Sequence, residues 1–188
     1  HYTAPHSPWD RSEHPEEYVA MYDNCPFESV PELPMHPNQA PTAPYGEGER
    51  RKELLRGYYA SITAMDAGIG KIMERLEAYG LREQTLIVFM GDNGMNMGHH
   101  GVWGKGNGTF PLNMYDTSVK VPAIFCQPGV IPAGQVRSEL LSQYDVFPTL
   151  LAYVGISNPE QDRLPGRSFA ELLEGGAGTG REDIVIYD

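Results

Sequence analysis

The sequence predicts an α/β chain, and three stretches carry that prediction. Residues 49–79 hold an apolar stripe at helical spacing. "TLIVFM" (85–90) is a continuous apolar run of strand length, and "VPAIFC" (121–126) is another. A long helix followed by short, uniformly apolar strands is the signature of a mostly parallel sheet flanked by helices, because strands covered on both faces do not alternate.

The elements follow in order. "YTAPHSPWD" (2–10) is a loop or strand end punctuated by Pro5 and Pro8. "HPEEYVAMYD" (14–23) makes a short helix started by Pro15. Residues 24–48 contain Pro26, Pro31, Pro34, Pro37, Pro41 and Pro44. That density forbids regular helix or central strand, so this Pro-rich segment must lie over a surface. Leu55, Tyr58, Ile62, Met65, Ile69, Ile72 and Leu76 then recur at spacings of three and four, one face of a helix over about 49–79 with Gly80 as its C-terminal cap. Asp66 lies beside the stripe and is expected to make a structural hydrogen bond. In "SQYDVFPTLLAYVG" (142–155), Ser142 or Asp145 can cap a helix, Pro148 fits only its first turn, and Gly155 stops it. "SFAELLEGG" (168–176) reads as a short amphipathic helix and "DIVIYD" (183–188) as a last strand.

The totals bound the function. The 188 residues suffice for one sizeable domain, so 1–188 is expected to be a single one. A formal net charge of −11 excludes the basic footprint that nucleic-acid binding requires. An anionic substrate would therefore need a local positive site built from a metal, Lys, Arg or His. No apolar run is long enough to span a membrane. The start, His1-Tyr2-Thr3-Ala4-Pro5, shows no signal peptide and reads as the middle of a longer chain, and the compartment is not legible. Cys25 and Cys126 form no CxxC or zinc pattern. Cys126, ending an apolar run, is expected to be buried, and whether the two pair is open.

The chemistry concentrates in "MGDNGMNMGHHGVWGKG" (90–106). Ligands of open α/β sheets sit beyond the carboxyl ends of strands, and Asp92 and Asn93 stand immediately past one. A carboxylate beside an amide offers two hard oxygen donors suited to Ca²⁺ or Mg²⁺. On spacing alone, Asp-Asn-Gly also reads as a turn. Lys105, farther along the loop, is a compact charge for an anionic oxygen. His99 and His100 lie between, and a histidine can exchange a proton near neutral pH; His100 is the favoured one. Together these groups suit anion binding and ester cleavage. Trp103 either packs under the loop or walls a pocket. His1, His14 and His36 read as solvated surface residues. Asn107-Gly108-Thr109 matches the glycosylation pattern, which is too common to carry weight.

These residues resemble the sulfatase family of the alkaline-phosphatase-like superfamily. The resemblance runs from "YYASITAMDAGIGKIMERLEAYG" through the 90–106 loop, "MYDTSVKVPAIFCQPGV" and "PGRSFAELLEGG", with "APHSPW" matching a segment that carries an active-site histidine. It implies part of an alkaline-phosphatase-like sandwich, from the C-terminal half of the catalytic domain. It implies a sulfuric-ester hydrolase acting on a small-molecule or saccharide sulfate. Asp92 and Asn93 match the pair that binds one divalent cation, usually Ca²⁺. Lys105 matches the lysine that grips the sulfate. His6 matches the histidine that contacts the sulfate and protonates the leaving alcohol. His100 matches a histidine of a "GEHG" loop, with His99 in place of its Glu.

The chain also departs from the family. The formylglycine nucleophile arises from a C/S-x-P-x-R motif, and "CPFES" at Cys25 is not one: it lacks the Pro and the Arg at the required places. The N-terminal acids of the metal shell are absent too. The resemblance therefore implies an incomplete catalytic domain, inactive by itself, that self-associates or needs its missing half. Two rivals stand beside this reading. One is a phosphate or phosphonate ester hydrolase of the same superfamily, whose two-metal members tend to carry Asp-His at the Asp92–Asn93 position. The other is a non-catalytic, metal-stabilised binding module. The alcohol portion of the substrate is not legible, and its recognition is expected to involve residues 24–48.

Overall fold

A computed structural model of the chain describes residues 2–43, 45–161 and 163–186. Its elements are α1 (Glu16–Val19), α2 (Gly48–Ala78), β1 (Ile87–Met90), β2 (Asn96–Met97), β3 (Trp103–Gly104), α3 (Asp116–Val119), β4 (Ala123–Cys126), α4 (Val146–Tyr153) and α5 (Ala170–Leu173). The α/β class expected from the sequence is the class observed. The chain folds as two compact units, one of residues 1–80 and 90–122, the other of 81–89 and 123–188.

The first unit is organised around α2. Its helix spans the residues that the stripe predicts, and Gly80, at φ 64°, ends it. Burial is uneven along it. Leu54, Leu55 and Ala60 are buried, whereas Ile72 is 49% exposed. The reason is the position of the core: Trp9, Phe27, Val30, Met97 and Trp103 cluster on Leu54 and Leu55, at the N-terminal half only. Trp9 meets Tyr58 edge-on at 5.6 Å, and Tyr59 packs against Tyr22 and Phe27. Asp66 is exposed and has no hydrogen-bond partner among the described residues, contrary to the structural role expected.

The Pro-rich segment is stitched to the glycine-rich loop. His36 N–H donates to the Gly101 carbonyl at 2.9 Å, Ala40 N–H to Gly108 at 2.8 Å, and Phe110 N–H to Asn38 at 3.0 Å. The Gln39 side chain completes the seam, accepting from Trp103 N–H at 2.8 Å and donating to its carbonyl at 2.9 Å. Within the loop, β2 and β3 form a small antiparallel hairpin, Asn96 opposite Gly104 and Met97 opposite Trp103. Neither strand nor α3 was expected from the sequence, since elements of two to four residues are too short to show a period.

In the second unit β1 pairs with β4. Among the described residues this sheet has two strands, so the complete burial expected of both runs is not observed. β1 is half-buried throughout, and Ile124 of β4 is 58% exposed. Cys126 is half-buried rather than buried, and its sulfur accepts from Arg82 Nη2 at 3.1 Å; both cysteines are free thiols. α4 begins as the sequence predicts. Ser142 and Asp145 form a capping box on the 3-10 turn Gln143–Asp145 that leads into α4, Asp145 Oδ2 accepting from Ser142 N–H at 2.8 Å, and Pro148 lies in the first turn of α4. Residues 183–186 form no strand; Tyr187 and Asp188, the rest of that expected element, lie outside the described residues. Order there comes instead from Arg181, whose N–H pairs with the Leu140 carbonyl at 2.7 Å and whose guanidinium binds Asp145.

Candidate functional site

Every candidate residue named from the sequence falls within the first unit: His6, Asp92, Asn93, His99, His100, Trp103 and Lys105. β1 ends at Met90, which places Asp92 and Asn93 just beyond its carboxyl end. The chain then passes hard against α3. The Gly94 N–H donates to the Ser118 carbonyl at 3.0 Å, and a β-carbon at Gly94 would overlap the Thr117 carbonyl oxygen. At the far end of the loop, a β-carbon on Gly101 would overlap the Pro34 carbonyl oxygen. Glycine is needed there for close backbone approach. The loop is thus a packed structure and not a flexible tip.

Asn93 commits its amide nitrogen to the Gly94 carbonyl at 2.8 Å. Its Oδ1 makes no hydrogen bond among the described residues and remains a donor for a hard cation. Asp92 is exposed. No group of three or more His, Cys, Asp or Glu side chains placed to hold a metal occurs among the described residues. The pair fits a divalent cation by donor chemistry and fills only part of the six to eight positions that Ca²⁺ takes.

His6 sits in a loop anchored to the core, because Trp9 Nε1–H donates to the Pro5 carbonyl at 2.8 Å. His6 Nδ1 lies 2.9 Å from the Ser7 carbonyl, which can only accept, so Nδ1 carries the hydrogen and Nε2 is the nitrogen left to exchange a proton. The ring is exposed.

The two adjacent histidines differ. His99 is half-buried and faces the Ser29 backbone, and burial together with the neighbouring His100 pushes its pKa down, favouring the neutral ring. His100 is exposed, has a left-handed backbone (φ 59°), and stacks on Tyr115 with ring centroids 4.0 Å apart and planes 14° apart. Non-glycine residues at such angles often mark functional positions. Trp103 takes the first of its two expected places. It is 2% exposed and belongs to the core under the loop, which removes it as a substrate-binding wall.

Lys105 is half-buried, and its carbonyl is reached by Asn113 Nδ2 at 3.3 Å. Asn113 also lines an open groove of about 480 Å³ with His36, Asn38, Leu112, Met114 and Tyr115. The groove therefore touches Tyr115, on which His100 stacks, and Asn113, which binds the Lys105 backbone. His36 accepts from Asn38 N–H through Nδ1 at 3.1 Å, which leaves the ring hydrogen on Nε2. A hollow of about 440 Å³ along α2, beside Lys71, Glu74, Arg75 and Ala78, contains none of the candidate residues.

Sequence reasoning missed Asn96, Asn113, Thr117 and Ser118, which tie this loop together. One signal was present: Asn96 lies between two methionines, and a polar residue in an apolar setting has to be paired.

Comparisons with known proteins agree in family. The Sulfatase family model matches residues 1–156. The arylsulfatase of Clostridium perfringens is 32% identical over 198 residues, covering 97% of this chain and 38% of that protein. The Bacteroides fragilis protein yidJ superposes with a TM-score of 0.74 at 25% identity, over 96% of this chain and 36% of that one. Phosphonate monoester hydrolase SpPMH from Silicibacter pomeroyi superposes with a TM-score of 0.62 at 30% identity, over 71% of this chain and 25% of that one. The chain spans between 21% and 38% of the length of the first curated relatives it matches.

Proposed function

Because the chain belongs to the sulfatase family, with the alkaline-phosphatase-like fold of its structural neighbours, we propose that it forms the later part of a sulfuric-ester hydrolase and carries that enzyme's sulfate cradle. The observation that supports this most is that His6, Asp92, Asn93 and Lys105 all fall in one compact unit, although His6 and Lys105 are far apart in sequence.

In this reading Lys105 binds the sulfate oxygens. It stabilises the charge that grows as the S–O bond to the alcohol breaks. His6, protonated at Nε2 with Nδ1–H held by the Ser7 carbonyl, gives its proton to the departing alcohol oxygen. His100 contacts the substrate at the edge of the groove. Asp92 and Asn93, with donors beyond these residues, would hold Ca²⁺ or Mg²⁺, which supplies positive charge beside the sulfate. A formylglycine, made from a C/S-x-P-x-R motif that residues 1–188 lack, would supply the attacking oxygen. The groove between Tyr115 and Asn113 receives the alcohol portion, and His36 and Asn38 bring the Pro-rich segment into specificity.

The test uses the complete enzyme, an activated aryl sulfate and added Ca²⁺. Hydrolysis is expected, and Lys105→Ala should lower kcat by about 10²–10³-fold, the cost of losing one transition-state donor. Residues 1–188 alone should give no turnover. Turnover by that chain, abolished by Lys105→Ala, would place the nucleophile within it. Hydrolysis of a phosphonate monoester with none of sulfate esters would replace the reading.

A further inference from the structure

Asn96 is fully buried, and a buried amide is costly unless its groups are paired. Its Nδ2 donates to the Gly104 carbonyl at 3.0 Å and to the Ser118 hydroxyl at 2.7 Å, and its Oδ1 accepts from the Thr117 hydroxyl. The Ser118 hydroxyl donates onward to Asn113 Oδ1 at 2.6 Å. Asn113 Nδ2 reaches the Lys105 carbonyl at 3.3 Å, the Gly106 carbonyl at 3.0 Å and the Thr109 hydroxyl at 3.2 Å. Its backbone N–H also donates to Gly106, at 2.9 Å. From the other side, the Ser118 carbonyl takes the N–H of Gly94, the residue after the Asp92–Asn93 pair.

The direction of each bond is forced. An amide nitrogen only donates and an amide oxygen only accepts, so the Ser118 hydroxyl must receive from Asn96 and give to Asn113. Turning either amide over would set its oxygen against a backbone carbonyl oxygen, acceptor against acceptor: Gly104 for Asn96, Lys105 and Gly106 for Asn113. One serine thus grips the strand end that bears Asp92 and Asn93 with its carbonyl. With its hydroxyl, through Asn113, it grips the backbone that bears Lys105.

We propose that Ser118 and Asn113 are positioning residues of the sulfate cradle, fixing the Lys105 backbone relative to the Asp92–Asn93 strand end. The proposal rests on the sulfatase reading above. A lysine side chain is long and flexible, so the place its ammonium can reach is set by where its backbone is held. A displacement of about 1 Å at a reacting centre can cost about 10²-fold in rate.

The experiment uses the complete enzyme, with 4-nitrophenyl sulfate as substrate and inorganic sulfate as competitive inhibitor. Asn113→Asp keeps the side chain's shape and its acceptor for Ser118 but loses the donors to Lys105 and Gly106. Ser118→Ala breaks the chain of bonds, and Ser118→Thr keeps the hydroxyl. Thr149→Val removes another fully buried hydroxyl, one that bonds Asp145 and Phe169 in the second unit. Asn113→Asp and Ser118→Ala should lower kcat by about 10–100-fold and raise the sulfate inhibition constant about tenfold. Ser118→Thr should restore most of the loss. Thr149→Val should lower the unfolding temperature and leave both constants within about twofold. Wild-type kcat and sulfate inhibition in both Asn113→Asp and Ser118→Ala, alongside an inactive Lys105→Ala, overturn this proposal alone. A wild-type enzyme that neither hydrolyses nor binds sulfate overturns the sulfatase reading and this proposal with it. If Asn113→Asp does not fold, the Ser118→Ala and Ser118→Thr pair decides by the same two constants.

Discussion

Asp145→Asn tests the clasp that closes the second unit. Asp145 is 1% exposed. Its Oδ1 accepts from Arg167 N–H and Arg181 Nη2, and its Oδ2 from Ser142 N–H and Arg181 Nε. Asparagine keeps one oxygen. Whichever way the amide turns, its NH₂ faces two donors, one of them a guanidinium, and the charge opposite Arg181 is gone. Breaking one partner of a buried ion pair costs about 3–5 kcal/mol. Burial alone would raise the Asp145 pKa, but the Arg181 guanidinium and the Arg167 and Ser142 N–H groups outweigh it and hold the carboxyl below its ordinary value. A carboxyl lowered in the folded state stabilises fully above its unfolded pKa, near 4, and loses that contribution as pH falls through the lower folded value. Denaturant unfolding of wild-type and variant proteins should therefore differ by about 3–5 kcal/mol at pH 7 and converge as the pH drops below about 4. Replacing both partners, as Asp145→Leu with Arg181→Met, should recover only part, because the Ser142 and Arg167 N–H groups stay unpaired. A variant within about 1 kcal/mol of wild type at pH 7 refutes the reasoning.

Three further outcomes follow from single contacts. His6→Ala in the complete enzyme should slow unactivated alkyl sulfates more than activated aryl sulfates, since only poor leaving groups need the proton; equal losses in parallel kcat measurements count against the acid role. Gly94→Ala should lower the unfolding free energy by more than about 1 kcal/mol, because the new methyl meets the Thr117 carbonyl, and an unchanged melting curve contradicts that close approach. Leu55→Ala, at a fully buried site in the core cluster, should cost about 2–5 kcal/mol in denaturant unfolding.

What was legible in the sequence had either a period or a cap. The α2 stripe gave the helix and Gly80 its end. Ser142, Asp145 and Pro148 gave the start of α4. Burial was less legible: Ile72 belongs to the same stripe as Leu55 yet is half exposed, because periodicity names a face and not what covers it. β2, β3 and α3 are too short to repeat anything. The candidate site was legible as chemistry, in Asp92, Asn93, Lys105 and the histidines. Its scaffolding was not. Asn96, Asn113 and Ser118 read as ordinary polar residues until the fold pairs their groups, with Asn96 and Ser118 buried and Asn113 half-buried. Trp103 could be read either way because an aromatic among glycines fits a core or a pocket, and the seam to Gln39 settled its place.

The seam between residues 36–40 and 101–110 implies an expected order of assembly. The bonds among Asn96, Ser118 and Asn113 join positions at most 22 residues apart, so less loop entropy opposes their meeting. The His36–Gly101 and Ala40–Gly108 bonds close a far longer loop, which costs more before any contact repays it. The lysine's mount can form from its own neighbourhood, and the wall that His36 and Asn38 give to the groove is added afterwards. On unfolding, the same wall is expected to leave first. Hydrogen exchange at His36 and Ala40 is then expected to run ahead of exchange at Gly94 and Asn113, so the groove wall opens while the backbone of Lys105 stays held.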